Sequence, residues 1–171
     1  AFVEGLKTLK IPASVENIIP CIFAFCDDLE TLEIEEGNKN YVFEDRFLMT
    51  ADRTRLISAI GLANIGKQEN VVVPSTVKSI EYGAMYGAYG MANITLPEGL
   101  ETIGTSAFSC SGITSLHIPA SVTTIEDGFL TYADKLKEVT VAEGNANYTV
   151  KNGMLLTKDL TELLEIPSLL D

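Results

Sequence analysis

A chain of 171 residues, 46% of them hydrophobic, has enough material for one domain with a substantial core. Its formal charge of −12 excludes nucleic acid as a partner, because neutralising phosphates takes clustered Lys and Arg and none cluster here. The same excess argues against an anionic membrane face and serves solubility instead. No apolar run reaches the roughly 18 residues that would span a bilayer, so no membrane insertion is expected.

The first element is predicted over 6–11. Leu9 and Ile11 alternate at period two and point to one face of a short strand, while Lys10 points to the other. Pro12 has no backbone donor and stops the ladder, after which Val15, Ile18 and Phe23 line the inside of a return segment. Further strand cores are expected at 29–34, 70–73, 92–96, 113–118 and 137–141, all parallel and in one sheet. The unit reads L-x-x-L-x-I-P-x-x-V-x-x-I. It is clean at Leu6 to Ile18 and again at Ile113, Leu116, Ile118, Pro119, Val122 and Ile125, and degenerate at Val71 to Ile80 and Ile94 to Ile103. Residues 6–60 recur without a gap as 113–167. The last apolar residues of the successive runs are Ile11, Ile34, Ala59, Val73, Leu96, Ile118, Val141 and Ile166, with intervals of 23, 25, 14, 23, 22, 23 and 25. Spacing in the twenties is that of a leucine-rich-repeat solenoid, in which each unit buries its apolar face only against its neighbours.

Two segments enlarge the plain unit. Tyr148-Thr149-Val150, Asn152-Gly153 and Met154-Leu155-Leu156 carry the strongest short hairpin signal, since a type I′ turn needs positive φ at both central positions. The matching segment 41–50 predicts the same hairpin with Asp45-Arg46 at its turn. Arginine is ill suited to positive φ, so that copy is expected to turn more loosely. Leu9, Ile11, Val15, Ile18, Leu116, Ile118, Val122 and Ile125 are predicted to be nearly fully buried.

On these motifs the chain resembles a family. Ile-Pro-Ala-Ser-Val followed by Ile125, and Thr105-Ser106-Ala107-Phe108-Ser109-Cys110, are similar to the BspA-like (Treponema pallidum-type) leucine-rich repeat. Glu143-Gly144-Asn145-Ala146-Asn147-Tyr148, Asn152-Gly153-Met154-Leu155 and Lys158-Asp159-Leu160-Thr161 resemble that family's longer variant. Arg46 departs from the pattern where the other copy has Gly153, and Met85 stands where other copies have phenylalanine. The resemblance implies bacterial secreted or surface-anchored proteins, some adhering to host proteins, and no enzyme chemistry. The fold expected is a right-handed leucine-rich-repeat solenoid. It would have a parallel β-sheet on the concave face, short strands, turns and helical turns on the return side, and two β-hairpin insertions. Without a linker or low-complexity stretch, residues 1–171 read as a single leucine-rich-repeat domain. Ala1-Phe2 and Ile166-Pro167-Ser168-Leu169-Leu170 look like parts of neighbouring units, so the domain is read as a piece of a longer array.

No catalytic, cofactor or metal site stands out. Cys21, Cys26 and Cys110 form no C-x-x-C pair. Cys26 and Cys110 occupy corresponding turns, where the resemblance implies a small buried residue. Free core cysteines are expected, and a Cys21–Cys26 disulfide stays open for an exported chain. Glu35-Glu36, Asp27-Asp28 and Glu126-Asp127 lack any calcium-loop pattern. His117 is the only histidine, so a hydrolase would have to use it, yet its place between Leu116 and Ile118 is the outward face of a strand. The function this leaves is non-catalytic binding or adhesion at the bacterial exterior, toward a protein or glycan of a host or neighbouring cell. A structural spacer is the alternative, and a hydrolase using His117 a more distant one. Solenoids bind on extended concave surfaces. One outward row would be Lys10, Glu33, Ser58, Val72, Thr95, His117, Thr140 and Glu165. A second would be Thr8, Thr31, Asn70, Asn93, Ser115 and Glu138. These rows are short and polar, without the aromatic anchors that interfaces favour. Tyr82, Tyr86 and Tyr89 form a separate cluster that could supply such an anchor, with packing in the return segment the role expected of them. The end rungs lack polar caps and predict end-to-end self-association, unless Phe2-Val3 and Leu169-Leu170 fold over them.

Overall fold

The computed structural model describes residues 5–65 and 70–168. It is a β-solenoid, and no helical element occurs among the described residues. The single helical turns expected on the return side are bends and turns instead. Phe2-Val3 and Leu169-Leu170, the expected caps, lie outside the described residues.

The concave strands are β1 (Thr8–Ile11), β2 (Thr31–Ile34), β6 (Asn70–Val72), β8 (Asn93–Thr95), β10 (Ser115–Ile118) and β12 (Glu138–Val141). They pair in parallel and in the expected register, with Leu9 beside Leu32, Val71 beside Ile94 and Leu116 beside Val139. They do not form one sheet. The ladder is broken into β1-β2, β6-β8 and β10-β12. Between β2 and β6 the chain is diverted into the first hairpin, and between β8 and β10 the backbone hydrogen bonding includes Thr114 N to Ala92 O at 3.1 Å without becoming a ladder.

A second sheet forms on the return side. Its short rungs β7 (Ser79–Ile80), β9 (Thr102–Ile103) and β11 (Thr124–Ile125) stack in parallel, following β5 (Arg55–Ala59). The hairpin β3 (Tyr41–Glu44) and β4 (Phe47–Thr50) adds antiparallel to β5, giving the order β11-β9-β7-β5-β4-β3. The second hairpin, β13 (Tyr148–Lys151) and β14 (Met154–Thr157), is likewise extended antiparallel by β15 (Leu163–Glu165). This placement explains the 14-residue interval between Ala59 and Val73. Ala59 ends a return strand rather than a concave one, so that step crosses half a rung.

Both hairpins turn tightly. Asn152 and Gly153 have φ of 53° and 76°, and Asp45 and Arg46 have 46° and 76°. The looser turn expected for Arg46 is not observed. The β3–β4 register, closing Glu44 against Phe47, imposes the two-residue turn whatever residue occupies it.

The core is continuous from Phe47 to Leu155, with a smaller cluster around Leu29, Leu32, Leu48, Ile57 and Ile60. Leu116, Ile118, Val122 and Ile125 are buried as expected, and so is Ile11. Leu9, Val15 and Ile18 are only half-buried, because their rung is the first described and is stacked on one side only.

Candidate functional site

The E-G-N-x-N-Y motif builds the corner that carries the second hairpin. Asn145 is 1% exposed and uses its whole amide. Its Nδ2 donates to Pro119 O (2.8 Å) and Val122 O (3.1 Å) of the preceding rung, while its Oδ1 accepts from Asn147 N and Tyr148 N, both at 2.8 Å. The Tyr148 hydroxyl then accepts from Ile125 N at 2.8 Å and donates to Thr123 O at 3.3 Å. A side chain therefore continues the return ladder where the backbone has left to form a hairpin. Asn38 and Tyr41 repeat these contacts in the first copy.

With the corner fixed, β12 and the hairpin β13–β14 enclose an open-sided groove of about 630 Å³. Residues Lys137 to Gly144 form one wall; Tyr148, Thr149, Val150, Gly153 and Lys158 form the other. The two copies differ at two of its lining positions. Val150 packs on the core as its equivalent Phe43 does, but with a smaller side chain. Gly153 has no side chain where the first copy carries Arg46, whose guanidinium reaches the neighbourhood of Gly61. The wall also gains positive charge at two places: Lys137 stands where the first copy has Glu30, and Lys158 where it has Ala51.

The outward rows form in part. Thr8 and Thr31, Lys10 and Glu33, Asn70 and Asn93, Val72 and Thr95, Ser115 and Glu138, and His117 and Thr140 are side-by-side pairs in register. Asn70 Nδ2 donates to Thr95 Oγ1 at 2.9 Å, and His117 Nδ1 lies 2.8 Å from Thr140 Oγ1. Glu138 and Thr140 also line the groove. Two residues do not belong to the row. Ser58 is 6% exposed, held inside the return sheet beside Leu48 of β4. Glu165 is on β15, antiparallel to β14, where burial pushes its carboxyl above the usual range. Both lie in the enlarged rungs, where the residue before the last apolar position is on a return strand.

Charge on the concave side is organised in pairs across rungs. Lys10 Nζ lies 2.8 Å from Glu35. Hydrogen bonds from Lys10 and from Ala13 N hold the Glu35 carboxyl below its ordinary value. Lys7 pairs with Glu30 in the same way, while Lys78 pairs with Glu101 at the return strands. On the return side Arg55 grips Glu81 with two bonds, Nε to Oε1 at 3.0 Å and Nη2 to Oε2 at 2.7 Å. No cluster of potential metal ligands occurs among the described residues.

The sequence matches the model for the BspA type leucine rich repeat region, in copies covering residues 1–68 and 55–170. The chain belongs to this family. A leucine-rich repeat protein from Eubacterium ventriosum shares 31% identity with it at a TM-score of 0.71, over 79% of this chain and 36% of that one. The pneumococcal vaccine antigen PcpA (22% identity, TM-score 0.61) matches over 82% of this chain and 40% of its own. A leucine rich cell surface protein from Faecalibacterium prausnitzii (19% identity, TM-score 0.59) matches over 95% and 46%. The chain thus spans less than half the length of each of these structures. No curated protein matches it.

The turns of this BspA-type array follow a rule that sequence reading missed. Left-handed residues come in pairs four apart: Cys21 and Phe25, Gly83 and Gly87, Ser106 and Cys110, Gly128 and Tyr132. Backbone ladders fix them, Gly83 N donating to Thr105 O, Gly87 N to Ser109 O and Cys110 N to Thr131 O. The residue equivalent to Cys110 is therefore Phe25, not Cys26. All three cysteines are free and half-buried, so no Cys21–Cys26 disulfide forms. Phe25 packs edge-on to Tyr86 at 5.3 Å and stacks on Tyr89 at 6.4 Å. A hydrogen bond with Cys110, reinforced by burial, pushes the Tyr86 phenol up to about 12. Tyr86 thus has the packing role expected of it, whereas Tyr82 and Tyr89 remain exposed.

Proposed function

We propose that this chain is a non-catalytic binding module of a bacterial surface or secreted protein. It engages a protein or glycan of a host or neighbouring cell through its concave side and the groove beside β12. The observation that carries this reading is the groove itself. It is held in shape by the buried Asn145 and Tyr148, and Val150 and Gly153 leave space where the first copy has Phe43 and Arg46. At about 630 Å³ it falls within the size range of ligand-binding clefts. Placement at the cell exterior draws support from the family and from the Faecalibacterium structure, which is named as a cell surface protein.

Hydrolysis at His117 has little to support it. The hydrogen-bond partner of the ring is the Thr140 hydroxyl, and a triad needs a carboxylate in that place to orient the base. A structural spacer differs from a binding module in one measurable way. The test is a solid-phase binding assay of the purified chain against immobilised host matrix proteins and mucins. The proposal expects saturable binding to at least one of them; no binding across the panel favours the spacer.

A further inference from the structure

Where the return segments lead into the concave strands, a second cleft of about 380 Å³ crosses successive rungs. Tyr89, Ser111, Tyr132, Asp134 and Lys135 are among the residues that line it. The backbone bonds from Gly87 to Ser109 and from Cys110 to Thr131 put the two tyrosines on rungs two apart, roughly 10 Å by the spacing of paired strands.

Two features of this cleft are not demanded by the turn. Tyr132 is 72% exposed and sits in the left-handed region at φ 60°, a conformation that is strained for a bulky side chain. The equivalent position in another rung is Gly87. The ladder sets this backbone at Phe25 and Cys110 as well, so the conformation is structural; what the fold leaves unused is the exposed Tyr132 ring, a large aromatic surface open to a ligand. Ser111 is the other feature. It is 5% exposed, and its hydroxyl is the buried side-chain polar atom without a hydrogen-bond partner among the described residues. Such groups are normally satisfied, by protein, water or ligand. Ser111 is also one of the residues that line the cleft.

We propose that this cleft binds a neutral saccharide. A pyranose ring has an apolar C–H face that packs on a tyrosine ring, and a rim of hydroxyls that both donate and accept. Tyrosines supply rigid amphipathic area for the face. The Asp134 carboxylate accepts, the Lys135 ammonium donates and the Ser111 hydroxyl does either, which covers the rim. An extended peptide fits less well: it is recognised along a strand edge, and residues 110–112 and 132–135 are outside every strand. An anionic sugar is disfavoured by the net charge of −12. The cleft uses none of the residues that line the groove, so either site can fail without the other.

The test is an array of neutral, sialylated and sulfated oligosaccharides, followed by saturation-transfer NMR on the neutral hit, with Tyr132→Gly and Ser111→Ala compared with the parent chain. At least one neutral saccharide is expected to bind, with transfer strongest to its ring C–H protons. Tyr132→Gly should weaken binding at least tenfold while raising Tm by roughly 2–4 °C, because it relieves left-handed strain. Ser111→Ala should weaken binding several-fold with the fold intact. Absence of any neutral hit, preference for the anionic glycans, or unchanged binding in Tyr132→Gly would each overturn the proposal. A Tyr132→Gly chain that loses stability would overturn it too, since the ring would then be a structural requirement.

Discussion

Replacing Asn145 with alanine removes the side chain that ties the hairpin corner to the rung before it. Four hydrogen bonds end on this amide, to Pro119 O, Val122 O, Asn147 N and Tyr148 N. All lie where Asn145 is 1% exposed, so water does not readily replace them. At about 1 kcal/mol net for each bond the loss is about 4 kcal/mol, and more if the stranded groups stay dry. Asn38 makes the equivalent contacts in the first copy, at 2.9 Å and 3.3 Å to Pro12 O and Val15 O. It is half-buried, and Asn40 Nδ2 also reaches Val15 O. Asn38→Ala should therefore cost only about 1–2 kcal/mol, with water taking up the freed groups. Urea unfolding followed by circular dichroism gives both numbers. Hydrogen exchange at the Tyr148 amide locates the damage, which matters because repeat arrays do not always unfold in two states. Equal losses for the two variants, or less than about 1 kcal/mol for Asn145→Ala, would refute the reasoning.

Leu116→Ala should cost about 2–5 kcal/mol in the same assay, and Leu9→Ala, at the equivalent half-buried position, distinctly less; equal costs would contradict the burial assigned to the two copies. The Arg55 guanidinium holds the Glu81 carboxyl below its ordinary value near 4.5. The stabilisation from this pair is thus present above that value and is lost as pH falls through the folded-state value. Glu81→Gln should make stability fall less steeply on acidification below about pH 5, and an unchanged acid limb would rule the pair out as a contributor. At high concentration, light scattering should detect end-to-end association of the chain through its outermost described rungs, where Leu9, Val15 and Ile18 are only half-buried; a strict monomer across a wide concentration range would count against it.

The parts of the fold legible in the sequence are those where one residue type has one physical use. Period-two apolar residues before Pro12 and Pro119 located β1 and β10, and Asn152-Gly153 located the second turn. The parts that were not legible depend on what lies alongside. Arg55–Ala59 and Leu163–Glu165 have the alternation of concave strands, but each is joined to a hairpin and runs on the return side. That is why Ser58 and Glu165 were misassigned to the outward row. Arg46 adopts φ 76° because the paired strands on either side leave the turn no other path, a constraint that no local propensity contains. The rule placing left-handed residues four apart was hidden because Cys21, Phe25, Ser106, Cys110 and Tyr132 share no composition. They share only a backbone ladder. The groove was within reach of sequence comparison: Phe43 against Val150 and Arg46 against Gly153 are plain once residues 6–60 and 113–167 are aligned, but their meaning needs the corner that Asn145 and Tyr148 build.

The open groove beside β12 is proposed as the binding surface of this BspA-type array. The most direct measurement gives the second copy the residues of the first, as Val150→Phe with Gly153→Arg, and compares its affinity for the matrix protein or mucin bound by the parent chain. Both side chains are already accommodated at the equivalent sites of the same molecule, at Phe43 and Arg46, so the variant should fold. The account predicts a loss of binding of at least tenfold with an unchanged circular-dichroism spectrum. Undiminished affinity in a folded variant would contradict it.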